Sequence, residues 1–141
     1  MPDKPQIERK LAAIMFTDIA GYTALSAKDS TKASELLTTQ RDTLKPIVEK
    51  YGGSWMKEMG DGLLLTFDSA TSAVECSIAI QEATKDTEEL NLRIGIHEGE
   101  VIKQDGDVMG DDVNVALWIE SFSAIIGVAI SDKIDRAVSN I

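Results

Sequence analysis

Cysteine is almost missing from this sequence. Cys76 stands alone, so an internal disulfide framework is excluded and a reducing compartment such as the cytoplasm is implied. Its place in a helical run marks it as a core thiol. Long apolar runs are missing too, and none approaches the roughly 18 residues that a membrane span needs. The first ten residues are polar and carry Asp3 and Glu8, which fits neither a signal peptide nor a transit peptide. Positive charge is scarce: 14 Lys and Arg stand against 24 Asp and Glu, giving a net charge of −10. That balance argues against a nucleic-acid polymer as partner. A mononucleotide remains compatible, because bound metal can neutralise its phosphates. There is no internal repeat, linker or low-complexity segment. The 141 residues suit one domain, which at this size buries roughly 70% of its unfolded surface.

What is present gathers first around Phe16-Thr17-Asp18-Ile19-Ala20-Gly21-Tyr22-Thr23. The apolar run from Leu11 reads as a short buried strand to Thr17, which leaves Asp18 at the strand end. A carboxylate there can hold a hard cation such as Mg²⁺, which takes oxygen ligands together with substrate phosphates. Gly21 lets backbone amides approach a phosphate chain. The same residues also suit a helix cap and a turn, so the rest of the chain has to decide.

Residues 1–10, with Pro2 and Pro5, read as a loose leader before a domain over 11–141. Helical spacing from Ser30 runs through Ala33, Leu36, Leu37, Leu44, Ile47 and Val48, and Pro46 is expected to kink or split that helix. Two strand-like runs flank Asp61-Gly62, a hairpin signal. Asp68-Ser69 then caps a helix whose expected face is Ala70, Ala73, Val74, Ser77 and Ile78. Leu92, Ile94 and Ile96 alternate with Arg93, Gly95 and His97 as a half-exposed strand, with Val101-Ile102 expected to return beside it across Glu98-Gly99. A polar loop over 106–112, a helix over 113–123, a strand over 125–131 and a short helix over 132–139 complete the reading. The order predicts an α+β fold, a ferredoxin-like sandwich with a mainly antiparallel sheet and helices packed on one face.

Chemistry gathers at two further places. Asp61 at the hairpin turn is a second carboxylate able to share divalent cations with Asp18, and two such ions can clamp the attacking and leaving oxygens of a phosphoryl transfer. Lys57 lies four residues before it. Singly, Asp61 also suits a turn former and Lys57 a solvated strand lysine. Asn114 opens the helix over 113–123, where a phosphate is favoured, and Asp107 could read a base edge. Taken alone, those residues read first as an acidic loop with an N-cap.

Four ordered stretches resemble the class III nucleotidyl cyclases, the catalytic domain of adenylate and guanylate cyclases. They are residues 16–23, Lys57-Glu58-Met59-Gly60-Asp61-Gly62, Leu92-Arg93-Ile94-Gly95-Ile96-His97-Glu98-Gly99, and residues 106–116. The resemblance covers about residues 9–131 and implies conversion of ATP to cyclic AMP and pyrophosphate. It also implies roles: Asp18, Asp61 and the Ile19 carbonyl as ligands of two Mg²⁺ or Mn²⁺ ions, and Ile19, Ala20, Gly21, Tyr22 and Thr23 as the turn that wraps the triphosphate. Lys57 and Asp107 would read adenine, and Asn114 would orient the ribose. Arg93 and His97 match positions that look structural. The family pairs two protomers head to tail and shares sites across the interface, so a homodimer is implied.

Two departures stand out. The family's catalytic arginine, four residues after the asparagine, is Trp118 here, and an indole offers one donor and no charge. The chain also stops at Ile141, before the closing segment that in the family supplies a phosphate-binding lysine. Both lead to the expectation of impaired turnover, or of a cyclase-like module that binds Mg-ATP and dimerises.

Overall fold

The computed structural model describes residues 7–104, 107–109 and 127–130, with side chains for 11–102. Among them are six strands and three helices, in the order β1 (Ile7–Ile19), α1 (Tyr22–Lys28), α2 (Ser30–Lys50), β2 (Ser54–Met59), β3 (Gly62–Phe67), α3 (Ala70–Thr84), β4 (Leu92–Gln104), β5 (Asp107–Met109) and β6 (Gly127–Ile130). The sheet runs β2-β3-β1-β4-β5, with β6 beside β4. All these pairings are antiparallel except β4 with β6. The α+β architecture with a mainly antiparallel sheet is therefore present, and the described helices lie on one face.

Strand alternation divides the sheet's side chains. Ala13, Met15, Leu63, Leu65, Phe67, Leu92, Ile94 and Ile96 point to the helices and join Leu36, Leu44, Val48, Ala73, Cys76 and Ile80 in one core. Burial pushes the Cys76 thiol up to about 12, so it stays protonated and inert, as a core thiol should. On the opposite face, Ala12, Ile14, Phe16, Leu64 and Val101 form a second, smaller cluster.

Several local details differ from the sequence reading. β1 begins at Ile7, inside the stretch read as a leader. α2 passes through Pro46 without splitting. Pro46 and Asp42 are both exposed, so the carbonyl that loses its helical partner can be hydrated. α3 is capped by the Ser69 side chain as expected, but its buried stripe is Ala70, Ala73, Cys76, Ser77, Ile80 and Thr84. Ile78 falls off that stripe and is exposed. The expected return at Glu98-Gly99 does not occur. β4 continues to Gln104 because β1 is equally long and pairs with it from Ile7 to Ile19, with Gly99 opposite Ala12. The chain reverses after Gln104 instead, and β5 occupies part of the stretch read as a polar loop. β6 falls within the expected last strand. The helices expected over 113–123 and 132–139 lie outside the described residues.

Candidate active site at the end of β1

The face away from the helices carries the Asp18–Arg93 pair. Asp18 stands opposite Arg93 in the register, both on the face away from the helices. Arg93 holds it with a two-pronged fork: Nε donates to Oδ1 at 2.8 Å and Nη2 to Oδ2 at 2.7 Å. The side chains of Asp18 and Arg93 are 19% and 34% exposed, so this pair is partly sheltered from the screening that weakens surface ion pairs.

Asp61 reaches the same strand end. Its Oδ2 accepts from the Ile19 backbone N–H at 2.9 Å, across 42 residues of sequence. The two loop residues of the hairpin are Gly60 and Asp61, one position earlier than the Asp-Gly signal suggests. Gly60 takes the positive φ of 62°, which a glycine in the first turn position supplies without strain. The hairpin thus delivers a carboxylate to the residue next to Asp18. Together with the Ile19 carbonyl, the two carboxylates would make an all-oxygen donor set, the chemistry suited to a hard divalent ion that also takes phosphate oxygens. The described residues hold no group of three or more His, Cys, Asp or Glu that could hold a metal alone. A substrate would have to complete the coordination.

After Ile19 the chain turns through Ala20 and Gly21 into α1. Gly21 sits at φ 79°, and a Cβ there would meet nothing within 4 Å. Backbone conformation, not space, therefore selects glycine. No side chain caps α1, so its first-turn amides are open to an outside acceptor. A cavity of about 280 Å³ borders the turn, lined in part by Ile19, Gly21, Tyr22, Lys28 and Asn91.

Lys57 depends on a feature that the sequence does not display. Register shifts between Trp55, opposite Leu65, and Lys57, opposite Leu64. The bulge puts Met56 against the smaller cluster and Lys57 on the same face, while Trp55 packs toward the helices. In regular pairing Lys57 would point into the helix layer. It lies two strands from Asp18, on the same face. Asp107 is placed by its backbone opposite Gln104 in β5. Strands β2 and β5 end opposite ends of the sheet path, yet they come into contact. Asn114 and Trp118 lie outside the described residues.

The structure therefore brings Asp18, Asp61 and the 19–23 turn together and sets Lys57 on the shared face. It also adds Arg93. Alternation of Leu92, Ile94 and Ile96 signals that Arg93 faces away from the helices, but its partner follows only from the β1–β4 register.

Residues 6–140 match the family model for the adenylate and guanylate cyclase catalytic domain. A relative from Rhizobium meliloti (strain 1021), "Putative adenylate cyclase 3", is 40% identical over 143 residues, which cover 96% of this chain. This chain spans only 24% of that protein's length. Among solved structures, an adenylate/guanylate cyclase/hydrolase from Silicibacter pomeroyi is 34% identical with a TM-score of 0.88, over 96% of this chain and 83% of that one. The adenylyl cyclase CyaB from P. aeruginosa is 26% identical with a TM-score of 0.87, over 96% and 84%.

Proposed function

The chain belongs to the adenylate and guanylate cyclase catalytic domain family, and from that premise we propose that it binds ATP with divalent metal and converts it to cyclic AMP and pyrophosphate. The observation that carries this reading is the bond from Ile19 to Asp61, which fixes a second carboxylate beside Asp18. Asp18, Asp61 and the Ile19 carbonyl would hold two Mg²⁺ or Mn²⁺ ions, which supply charge for the triphosphate and for displacement at its α-phosphorus. The uncapped amides after Gly21 bind the phosphate oxygens, and residues 19–23 wrap them.

Base choice rests on Lys57 and Asp107. An amine donor and a carboxylate acceptor suit the ring nitrogen and exocyclic amine of adenine, and the contact of β2 with β5 supports their working as a pair. Asn114 orients the ribose. As in the family, the site is shared in a head-to-tail homodimer, with Lys57, Asp107 and Asn114 of one protomer facing Asp18 and Asp61 of the other. No helix of the described residues is long and apolar enough to cross a membrane. ATP as substrate and the lone thiol Cys76 favour reaction in the cytoplasm.

Trp118 favours a second reading, a module that holds Mg-ATP and dimerises with little turnover. Charge builds on the phosphoryl oxygens as the 3′-oxygen attacks, and an arginine aimed there stabilises the transition state more than the substrate. In other phosphoryl transfers such an arginine is worth about 10³–10⁵ in rate. Incubation with Mn²⁺ and ATP, followed by chromatography, separates the readings. Slow cyclic AMP formation is expected, rising at least about tenfold in Trp118→Arg with ATP affinity unchanged. No cyclic product from either chain would overturn the cyclase assignment. Fast wild-type turnover would show that Trp118 is no lesion.

A further inference from the structure

The Asp18–Arg93 fork sets the metal-ligand reading a physical problem. A carboxylate whose two oxygens each accept a charge-assisted hydrogen bond presents its lone pairs to the guanidinium. A divalent ion arriving at those oxygens must share them with a cation already present, and two cations at that range repel. The pair is also partly sheltered, with Asp18 19% and Arg93 34% exposed, so water screens the conflict only in part. Asp61 is not caught in the same way. Its Oδ2 takes a neutral backbone N–H, a bond that leaves the charge available to an ion.

We propose that Arg93 is a positioning residue that acts as an internal counter-cation, holding Asp18 in place in the metal-free chain and yielding it as a divalent ion binds. The inference rests on the reading of Asp18 as a metal ligand and adds a resident competitor to it. The fork has two effects of opposite sign. It keeps a half-buried carboxylate compensated and correctly aimed before the metal arrives, which favours the folded chain. It also lowers the affinity for metal alone, because part of each binding event is spent opening the fork. A ligand that brings phosphate charge alongside the metal offsets that cost. Loading by Mn²⁺ alone is therefore weak, and loading with nucleotide is much stronger. The asymmetry between the carboxylates gives an order: Asp61 is ready, Asp18 is released.

The test is Mn²⁺ binding without nucleotide, by calorimetry or by loss of the free-ion electron paramagnetic resonance signal. The chains compared are wild type, Arg93→Met, Arg93→Lys and Arg93→Met with Asp18→Asn. Arg93→Met should bind Mn²⁺ about tenfold more tightly than wild type, and the added Asp18→Asn should abolish the gain. Arg93→Lys keeps the charge but cannot hold both oxygens, so it should show part of the gain. Thermal unfolding gives a second readout: Arg93→Met should be less stable than wild type in chelator, with Mn²⁺ narrowing the gap. Equal Mn²⁺ affinity in wild type and Arg93→Met would overturn the proposal while leaving the metal site intact. A gain in Arg93→Met with none in Arg93→Lys would assign the effect to the cation's charge and overturn the part given to the two-pronged fork. If Arg93→Met does not fold, Arg93→Lys decides alone, and unchanged or weaker affinity counts against the proposal. No Mn²⁺ binding by any chain, with or without ATP, would overturn the metal site and the proposal with it.

Discussion

The two faces of the sheet are built from the same strands and do different work. On the helix side, β1 contributes Ala13 and Met15, β3 contributes Leu63, Leu65 and Phe67, and β4 contributes Leu92, Ile94 and Ile96, all within one apolar core. On the other side, neighbouring residues of those strands supply Asp18 and Arg93 beside a small cluster of Ala12, Ile14, Phe16 and Leu64. Alternation lets adjacent residues belong to different tasks. Apolar burial is concentrated on the first face, and the proposed ligand chemistry lies on the second. Substitutions on the two faces should therefore separate, except at the Asp18–Arg93 fork, which serves both.

The largest effect on stability is expected from Leu65→Ala. Leu65 is fully buried on the helix side, and truncation there should cost about 2–5 kcal/mol in urea unfolding. Affinity of the folded protein for Mn-ATP should stay unchanged, and a parallel loss of affinity would break the division between the faces. Gly53→Ala should come next. A Cβ at residue 53 would lie 2.5 Å from Cε2 of Phe67 and 2.8 Å from Cγ1 of Val48. Overpacking of that kind costs about 1–3 kcal/mol, read as a lowered urea midpoint. Lys57→Met on the opposite face should leave the midpoint in place. It should reduce the preference for ATP over GTP in competition binding by about tenfold, since one charged partner proposed for the base is lost. An unchanged preference would remove Lys57 from base recognition.

Much of this division could be read from the chain. The alternation from Leu92 to Glu98 gives the two faces of β4 directly, the Ser69 cap appears where its residue type places it, and the Asp61 hairpin turns one position before its Asp-Gly signal. What could not be read is pairing. The bulge at Met56 decides which face Lys57 joins, and its cause lies in how β2 meets β3. The length of β4 depends on β1 as a partner, so local turn chemistry at Glu98-Gly99 was overruled by thirteen residues of ladder. Arg93 shows the same limit: its facing was legible, but its bond to Asp18 is made across 75 residues of sequence. Pro46 failed as a helix breaker for a different reason, because one lost hydrogen bond on a solvated face is tolerable in a helix of 21 residues.

The account stands most directly on the two carboxylates at the end of β1, and calorimetric titration of ATP with and without Mn²⁺ tests them. Wild type should bind ATP tightly only when Mn²⁺ is present. Asp18→Asn, which keeps the shape and removes the charge, should lose that metal dependence, and its unfolding midpoint should fall because the fork from Arg93 loses its charged partner. Metal-dependent ATP binding that survives in Asp18→Asn would contradict the account.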